Sequence, residues 1–475
     1  MQPGMPMPVG DLLPELVLTV GGIVVLLYAL FAPRRWQVGA ALLAFGVAVA
    51  AAVVTAFMMP ETQRLTFAGT YAVDGMALWA KLLILGAVVA TIAFSVDWFR
   101  PDPRHGEYYT LLLFSGLGAI LLAGASDLME MTLAVLLSSV TGFVLTAYHR
   151  QSRAAGEAAI KYYLLGALTN GAMVYGVALF FGLAATTTYT GLPAGLQTAS
   201  PAAAVALGLV AVGLAFKMGA VPAHAWVPDV AEGAPAPVAA FLTAASKVAA
   251  LVALARLVAL FPETGAGWRP MVALLAAATM TLGNLAALWQ DNVRRLLGWS
   301  AVSQTGYGLM ALVALGRSDL ATPALLFFLL AYVLGNLAAF GVVVALRGQS
   351  ARSAYAGLGR TRPALYWILA LSFLSFLGIP PLAGFTAKLA LFGAAIDAGY
   401  GWLAVLAVAN TVVSLFYYAR VLGPGFFEGE EAPTPPPGLG PLPALTAGVA
   451  AAGLLAAGLG ADWLLASMSA ARLLP

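Results

Sequence analysis

The chain reads as a succession of long apolar runs separated by short polar breaks. A helix that crosses a bilayer needs about 20 apolar residues. Fourteen stretches of that kind occur, at 11–32, 37–58, 75–96, 107–125, 127–148, 158–182, 201–222, 235–261, 269–289, 294–315, 320–346, 363–396, 400–423 and 440–468. The connecting segments are short, so the pattern predicts one all-α membrane bundle of about fourteen transmembrane helices with no soluble domain. Two runs are interrupted by residues that cannot continue a helix. The seventh breaks at Pro222 and Pro228, and the twelfth at Pro380 and Pro381. Paired broken spans in corresponding halves predict two inverted five-helix repeats, spans 4–8 and 9–13, around an ion path. The expected division is 1–106 for three N-terminal helices, 107–261 and 269–423 for the repeats, and 424–475 for a linker and a last helix. The stretch FFEGEEAPTPPPG (426–438) is expected to form a semi-rigid linker, and the last helix to be an accessory one.

Composition agrees: 61% of residues are hydrophobic and 9% charged, far from the usage of a soluble domain. Cysteine is absent, which excludes disulfides, thiolate metal sites and iron–sulfur ligation, and no metal site is expected. A dispersed net charge of +3 does not favour nucleic acid. The N-terminal MQPGMPMPVGDLLPE has no basic region, so the first run is expected to remain as a helix. Arginines concentrate in loops after odd-numbered spans, including Arg34, Arg35, Arg100, Arg104, Arg150, Arg153, Arg294 and Arg295. By the positive-inside rule those loops are cytoplasmic and both termini lie outside.

The two kinds of cation divide differently along the chain. All eighteen arginines fall in loops or near segment ends, whereas Lys81, Lys161, Lys217, Lys247 and Lys388 fall inside apolar runs or at their shoulders. Guanidinium keeps its charge under any reachable condition, whereas a buried amine can release its proton. Lysines kept in apolar spans therefore point to proton movement. Lys217, Lys247 and Lys388 lie deepest and carry that reading. Lys81, near a helix end, is expected to snorkel to the surface. The position of Lys161 admits either reading. Glu157 lies four residues before Lys161 and can pair with it, and Tyr162 could extend a hydrogen-bonded chain. His224, in the first break, is either a structural histidine or a relay. Asp229 and Glu232 are expected to cap a helix, and Arg294 and Arg295 to set topology or meet anionic lipid.

Four separated segments carry a resemblance: FKMGAVPAHAWVPDVAEGAPAPVAAFLTAASK (216–247), AAIKYYLLGALTNGAMVYGVALFFG (158–182), DNVRRLLGWSAVSQTGYGLMAL (291–312) and SFLGIPPLAGFTAKLALF (375–392). They resemble subunit N of proton-pumping NADH–quinone oxidoreductase, the NADH dehydrogenase subunit 2 family of respiratory complex I. The wording PDVxEGAPxPV favours subunit N over subunits L and M and over Mrp-type antiporter subunits. The resemblance implies a proton path through Lys161 and Lys217 to Lys247 and out past Lys388, with His224 in the break. It implies a translocase subunit without a redox centre; NAD, FMN, iron–sulfur clusters and quinone belong to other subunits of a hetero-oligomer. It implies a multi-pass protein of the bacterial inner membrane, with both termini on the periplasmic side.

The sequence departs from that family at two places. The family's span-five glutamate, partner of the span-seven lysine, corresponds by spacing to Leu136, and Gln304 stands where many subunit N sequences carry histidine. Glu130 lies six residues before Leu136, about 9 Å away and off its face, so it is a supporting group rather than a replacement. A Mrp-type cation/proton antiporter subunit, and a membrane-arm subunit that does not pump for want of the span-five carboxylate, are the alternatives.

Overall fold

A computed structural model describes residues 8–59, 63–102, 105–192, 201–261, 267–427 and 439–474. Arg104 and the linker from residue 428 to 438 lie outside them. Each predicted apolar run is helical. The helices are α1 (Leu13–Phe31), α2 (Val38–Met58), α3 (Gly75–Trp98), α4 (Gly106–Gly124), α5 (Leu128–Thr146) and α6 (Arg153–Ala184). They continue with α7 (Pro201–Met218), α8 (Trp226–Gly233), α9 (Ala236–Ala259), α10 (Trp268–Leu288), α11 (Val293–Ala314) and α12 (Ala321–Ala345). The last are α13 (Pro363–Leu377), α14 (Ala383–Asp397), α15 (Gly401–Phe427), α16 (Pro441–Leu459) and α17 (Ala461–Ser469). Among the described residues twelve helices are long and apolar enough to cross a membrane. α11 is not among them, because Arg294, Arg295 and a run of serine, glutamine and threonine lower its apolarity. The twelfth run is absent too, split into α13 and α14.

Two details differ from the expected pattern of spans and breaks. A small antiparallel hairpin, β1 (Arg64–Thr66) and β2 (Tyr71–Val73), fills the connection between α2 and α3. The segment after the first break is itself a helix, α8, which the Pro- and Gly-rich sequence concealed.

The two breaks have one design. α7 ends at Gly219 (φ +75°), where Ala220 N donates to Ala215 O at 2.8 Å and Gly219 N to Phe216 O at 3.1 Å. α13 ends at Gly378 (φ +80°), with Ile379 N donating to Leu374 O at 3.0 Å and Gly378 N to Ser375 O at 2.9 Å. This paired closure needs a left-handed residue, which glycine adopts without steric cost. Backbone freed inside a membrane must find partners within the protein. At the first break Trp226 Nε1 donates to Phe216 O (2.8 Å), Thr305 Oγ1 to Met218 O (2.8 Å), and Val221 N to Thr279 Oγ1 (3.2 Å).

α9 forms the axis of the bundle: every residue from Ala236 to Val258 is buried. It packs on α3, α4, α7, α11 and α12, while α1 and α2 lie outside with broad apolar faces exposed. α10 and α11 approach at backbone distance. A methyl group at Gly306 would collide with the backbone of Met280 and Ala276, and one at Gly283 with the backbone of Ser303. Small residues allow such contact between membrane helices.

Arginines near segment ends are not all exposed. Arg256 is fully buried near the end of α9, where Asp74 at the N-cap of α3 pairs with it at 2.6 Å. A buried guanidinium is tolerated there because a carboxylate and backbone carbonyls receive it.

Candidate functional site

Lys247 and Lys388 meet one short stretch of α11, from Ala301 to Tyr307, about 9 Å of helix, and the end of α7 beside Lys217 is tied to the same stretch. Lys217, in the last turn of α7, is fully buried, and its amine donates to Ser139 Oγ on α5 at 3.3 Å. The carbonyl of the next residue, Met218, accepts from Thr305 of α11. Lys247, mid-way along α9, donates to Ala301 O of α11 at 2.5 Å and sits 3.7 Å above the ring of Tyr332 from α12. That ring is held by its hydroxyl, which donates to Thr243 O at 2.9 Å. Lys388, on α14 just beyond the second break, donates to Thr411 Oγ1 of α15 at 3.0 Å. It lies 4.4 Å from the ring of Tyr307, whose hydroxyl is 3.0 Å from the same threonine.

Electron-rich ring faces and lone pairs stabilise the ammonium form of such an amine without supplying a counter-charge. No carboxylate pairs with any of these three lysines among the described ion pairs. Thr305 joins two of the neighbourhoods. Its one hydroxyl proton is shared between Met218 O at 2.8 Å and Ala301 O at 3.1 Å, the carbonyl that Lys247 also reaches.

The remaining predicted residues divide. His224 is half-buried between α7 and α8, with its ring 5.5 Å from that of Trp299 on α11 and its Nδ1 without a protein partner. It therefore joins the same helix, two residues before Ala301. Tyr162 is buried, stacked on Trp226 at 4.3 Å, and its hydroxyl has no partner. Lys161 is not interior. Its side chain is 48% exposed, and it pairs with Glu157 at 2.7 Å and Asp229 at 3.2 Å. Glu130 stands away from Lys217: Ser139, which Lys217 reaches, lies nine residues further along α5, a rise of about 13 Å. Leu136, one turn before Ser139, is half-buried on that helix.

Other expectations are corrected. Asp229 and Glu232 do not cap the helix that follows them, α9, whose start has no side-chain cap; Asp229 forms an ion pair with Arg295 at 2.6 Å as well as with Lys161, and Glu232 pairs with Arg295 at 2.9 Å. Arg294 is a buried clamp, not a lipid-facing charge, with Nε donating to Ala231 O at 2.9 Å and Nη2 to Ala234 O. Lys81 does not snorkel: it is fully buried and bridges to Glu15 at 2.8 Å. Sequence reasoning missed Ser139, Tyr332, Thr411 and the α11 pair Thr305 and Tyr307. The one signal available was the polar run SQTGY inside an otherwise apolar helix.

Comparison with known proteins places this geometry. The family model for the transmembrane region of NADH:quinone oxidoreductase and Mrp antiporter proteins matches residues 125–414. NADH-quinone oxidoreductase subunit N 1 of Streptomyces griseus subsp. griseus is 45% identical over 431 residues, covering 90% of this chain and 91% of that one. Subunit N of Mycobacterium sp. strain JLS is 43% identical, covering 88% and 89%. A chain of respiratory complex I from Thermus thermophilus with bound aureothin superposes with a TM-score of 0.84 at 32% identity, over 97% of this chain and 100% of that one. A chain of the Mrp complex from Dietzia sp. DQ12-45-1b shares the fold, with a TM-score of 0.86 at 23% identity over 98% and 97%.

Proposed function

The chain belongs to the NADH:quinone oxidoreductase/Mrp antiporter membrane family, with subunit N proteins among its relatives, and on that footing we propose that it carries protons through the membrane arm of a NADH–quinone oxidoreductase. The observation that supports this is that Lys247 and Lys388 meet the Ala301–Tyr307 stretch of α11, to which Thr305 ties the end of α7 beside the buried Lys217. Protons enter from the cytoplasm by the Lys161–Glu157–Asp229 cluster, reach Lys217, pass Lys247 under control of Thr305, and leave past Lys388. The driving reaction, NADH oxidation and quinone reduction, occurs in other subunits of the assembly. They hold the nicotinamide, FMN, iron–sulfur and quinone sites. The protein sits in the bacterial inner membrane with both termini outside.

Lysine amines serve here because each can exist charged or neutral within the bundle, and a change in neighbouring charge moves the balance. A conformational signal from an adjacent subunit supplies that change. Substituting Lys247→Met and Lys388→Met in the assembled complex lowers the proton/electron ratio while NADH oxidation persists. An unchanged ratio with both variants overturns the role.

A second reading has its own observation. Lys217 faces a serine hydroxyl, and the α5 position one turn earlier is Leu136 rather than an acid. On this reading the subunit completes the membrane arm without pumping. Leu136→Glu separates the two: a raised proton/electron ratio favours a lost charge switch, and no change favours a path that does not use that position.

A further inference from the structure

The N-terminal helices hold a second buried ionisable group, which the lysine series does not use. Glu15 lies on the first turn of α1 and is 4% exposed. Its Oε1 accepts from the Tyr71 hydroxyl at 2.6 Å and lies 2.8 Å from Lys81 Nζ, while Oε2 is buried with no partner. Lys81 is also 4.9 Å from the Tyr71 ring. This repeats the lysine-over-tyrosine arrangement of Lys247 and Lys388, with a carboxyl added. An ionised carboxylate with one bare oxygen is costly to bury, and a proton on that oxygen removes much of the cost.

The surroundings favour the same outcome. Four residues earlier, in the 3-10 turn Val9–Leu12 that precedes α1, Asp11 pairs with the partly exposed Arg64 of β1. From α5, Glu130 acts electrostatically on Glu15, Lys81 and Tyr71, and Asp127 acts on Glu130. Arg256 of α9, paired with Asp74, acts on Tyr71. α2, which packs on α1, has no titratable residue. Those of α4 (Glu107, Tyr108 and Tyr109) lie in its first turn, at the other end of α1, where Gly106 N meets Gln37 Oε1. Five carboxyl groups thus surround three cations.

We propose that Glu15, held by Lys81 and Tyr71, is a proton-binding site separate from the lysine series, taking a proton on Oε2 and exchanging it with solvent beside Asp11 and Arg64. Oε2–H forms as the proton arrives from water at the Arg64 side, and the same bond breaks on release. The Glu15–Lys81 pair gains one positive charge on loading, which Glu130 faces.

The test is difference infrared spectroscopy of the intact complex, in ordinary and heavy water, over the pH range in which it stays assembled. A carboxylic-acid carbonyl band grows as the pH falls, and E15Q removes it. Y71F moves the band to higher frequency, because the hydroxyl that donates to Oε1 is gone. If E15Q does not assemble, E15Q/K81M, which removes both buried charges together, replaces it. Identical spectra for wild type and these variants, or a Glu15 band that does not change with pH, overturn the proposal. The readout does not depend on whether the lysine series moves protons, so the two readings fail separately.

Discussion

Thr305 contributes one hydroxyl, and where its proton points decides which carbonyl is left to others. Directed at Met218 O, it steadies the end of α7 beside Lys217 and does not compete with Lys247 at Ala301 O. Directed at Ala301 O, it competes with the Lys247 amine. A hydrogen bond to a charged group is worth about 1.5–3 kcal/mol, enough to alter the charge balance of Lys247 by roughly ten- to a hundred-fold. Thr305→Val keeps the shape and removes the hydroxyl. It lowers the proton/electron ratio with the complex still assembled, and Thr305→Ser restores it. A ratio unaffected by Thr305→Val would show that the hydroxyl only braces the break.

Among the elements, α8 depends most on side chains from elsewhere. It has eight residues and no side-chain cap at its start, too short to persist alone. Arg294 of α11 receives its last carbonyls, and Arg295 ties Asp229 and Glu232 to the same helix. Arg294→Met orphans buried carbonyls at about 1–3 kcal/mol each. The expected result is a lower melting temperature in detergent and faster proteolysis between α7 and α9, with Arg295→Met less harmful because its pairs are half-exposed. This arrangement also shows what a sequence conveys. Each spanning helix was legible because crossing a bilayer demands an apolar run that no other structure needs. Both breaks were legible because proline and glycine stop helices wherever they occur. α8 was not, since its stability comes from Arg294, about sixty residues away. Lys81 was misread for the same reason: Glu15, which makes its burial tolerable, is distant in the chain, as Asp74 is from the buried Arg256. At the candidate site the lysines stood out by their charge in apolar runs, but Ser139, Tyr332 and Thr411 are ordinary residues for membrane helices and gained meaning only from packing.

For the molecule as a whole, acidity acts on the ends of the bundle as well as on its interior. His149, in the loop between α5 and α6, accepts from Trp98 Nε1 at 3.3 Å and packs against Phe99. Burial holds its imidazole below the ordinary value of 6.5; Asp102 opposes this and Arg294 reinforces it. The unfolded chain therefore binds a proton there at pH values where the folded chain does not, so stability falls as the pH drops through about 6.5. Thermal unfolding from about pH 8 to about pH 5 shows that decline in the wild type and a shallower one in His149→Gln. At the other extreme of scale, the seam where α10 and α11 touch without intervening side chains turns two spans into one stiff beam. Lys247 leans on one part of that beam and the ring beneath Lys388 is fixed to another, so a shove delivered at either reaches its counterpart with little slack to absorb it.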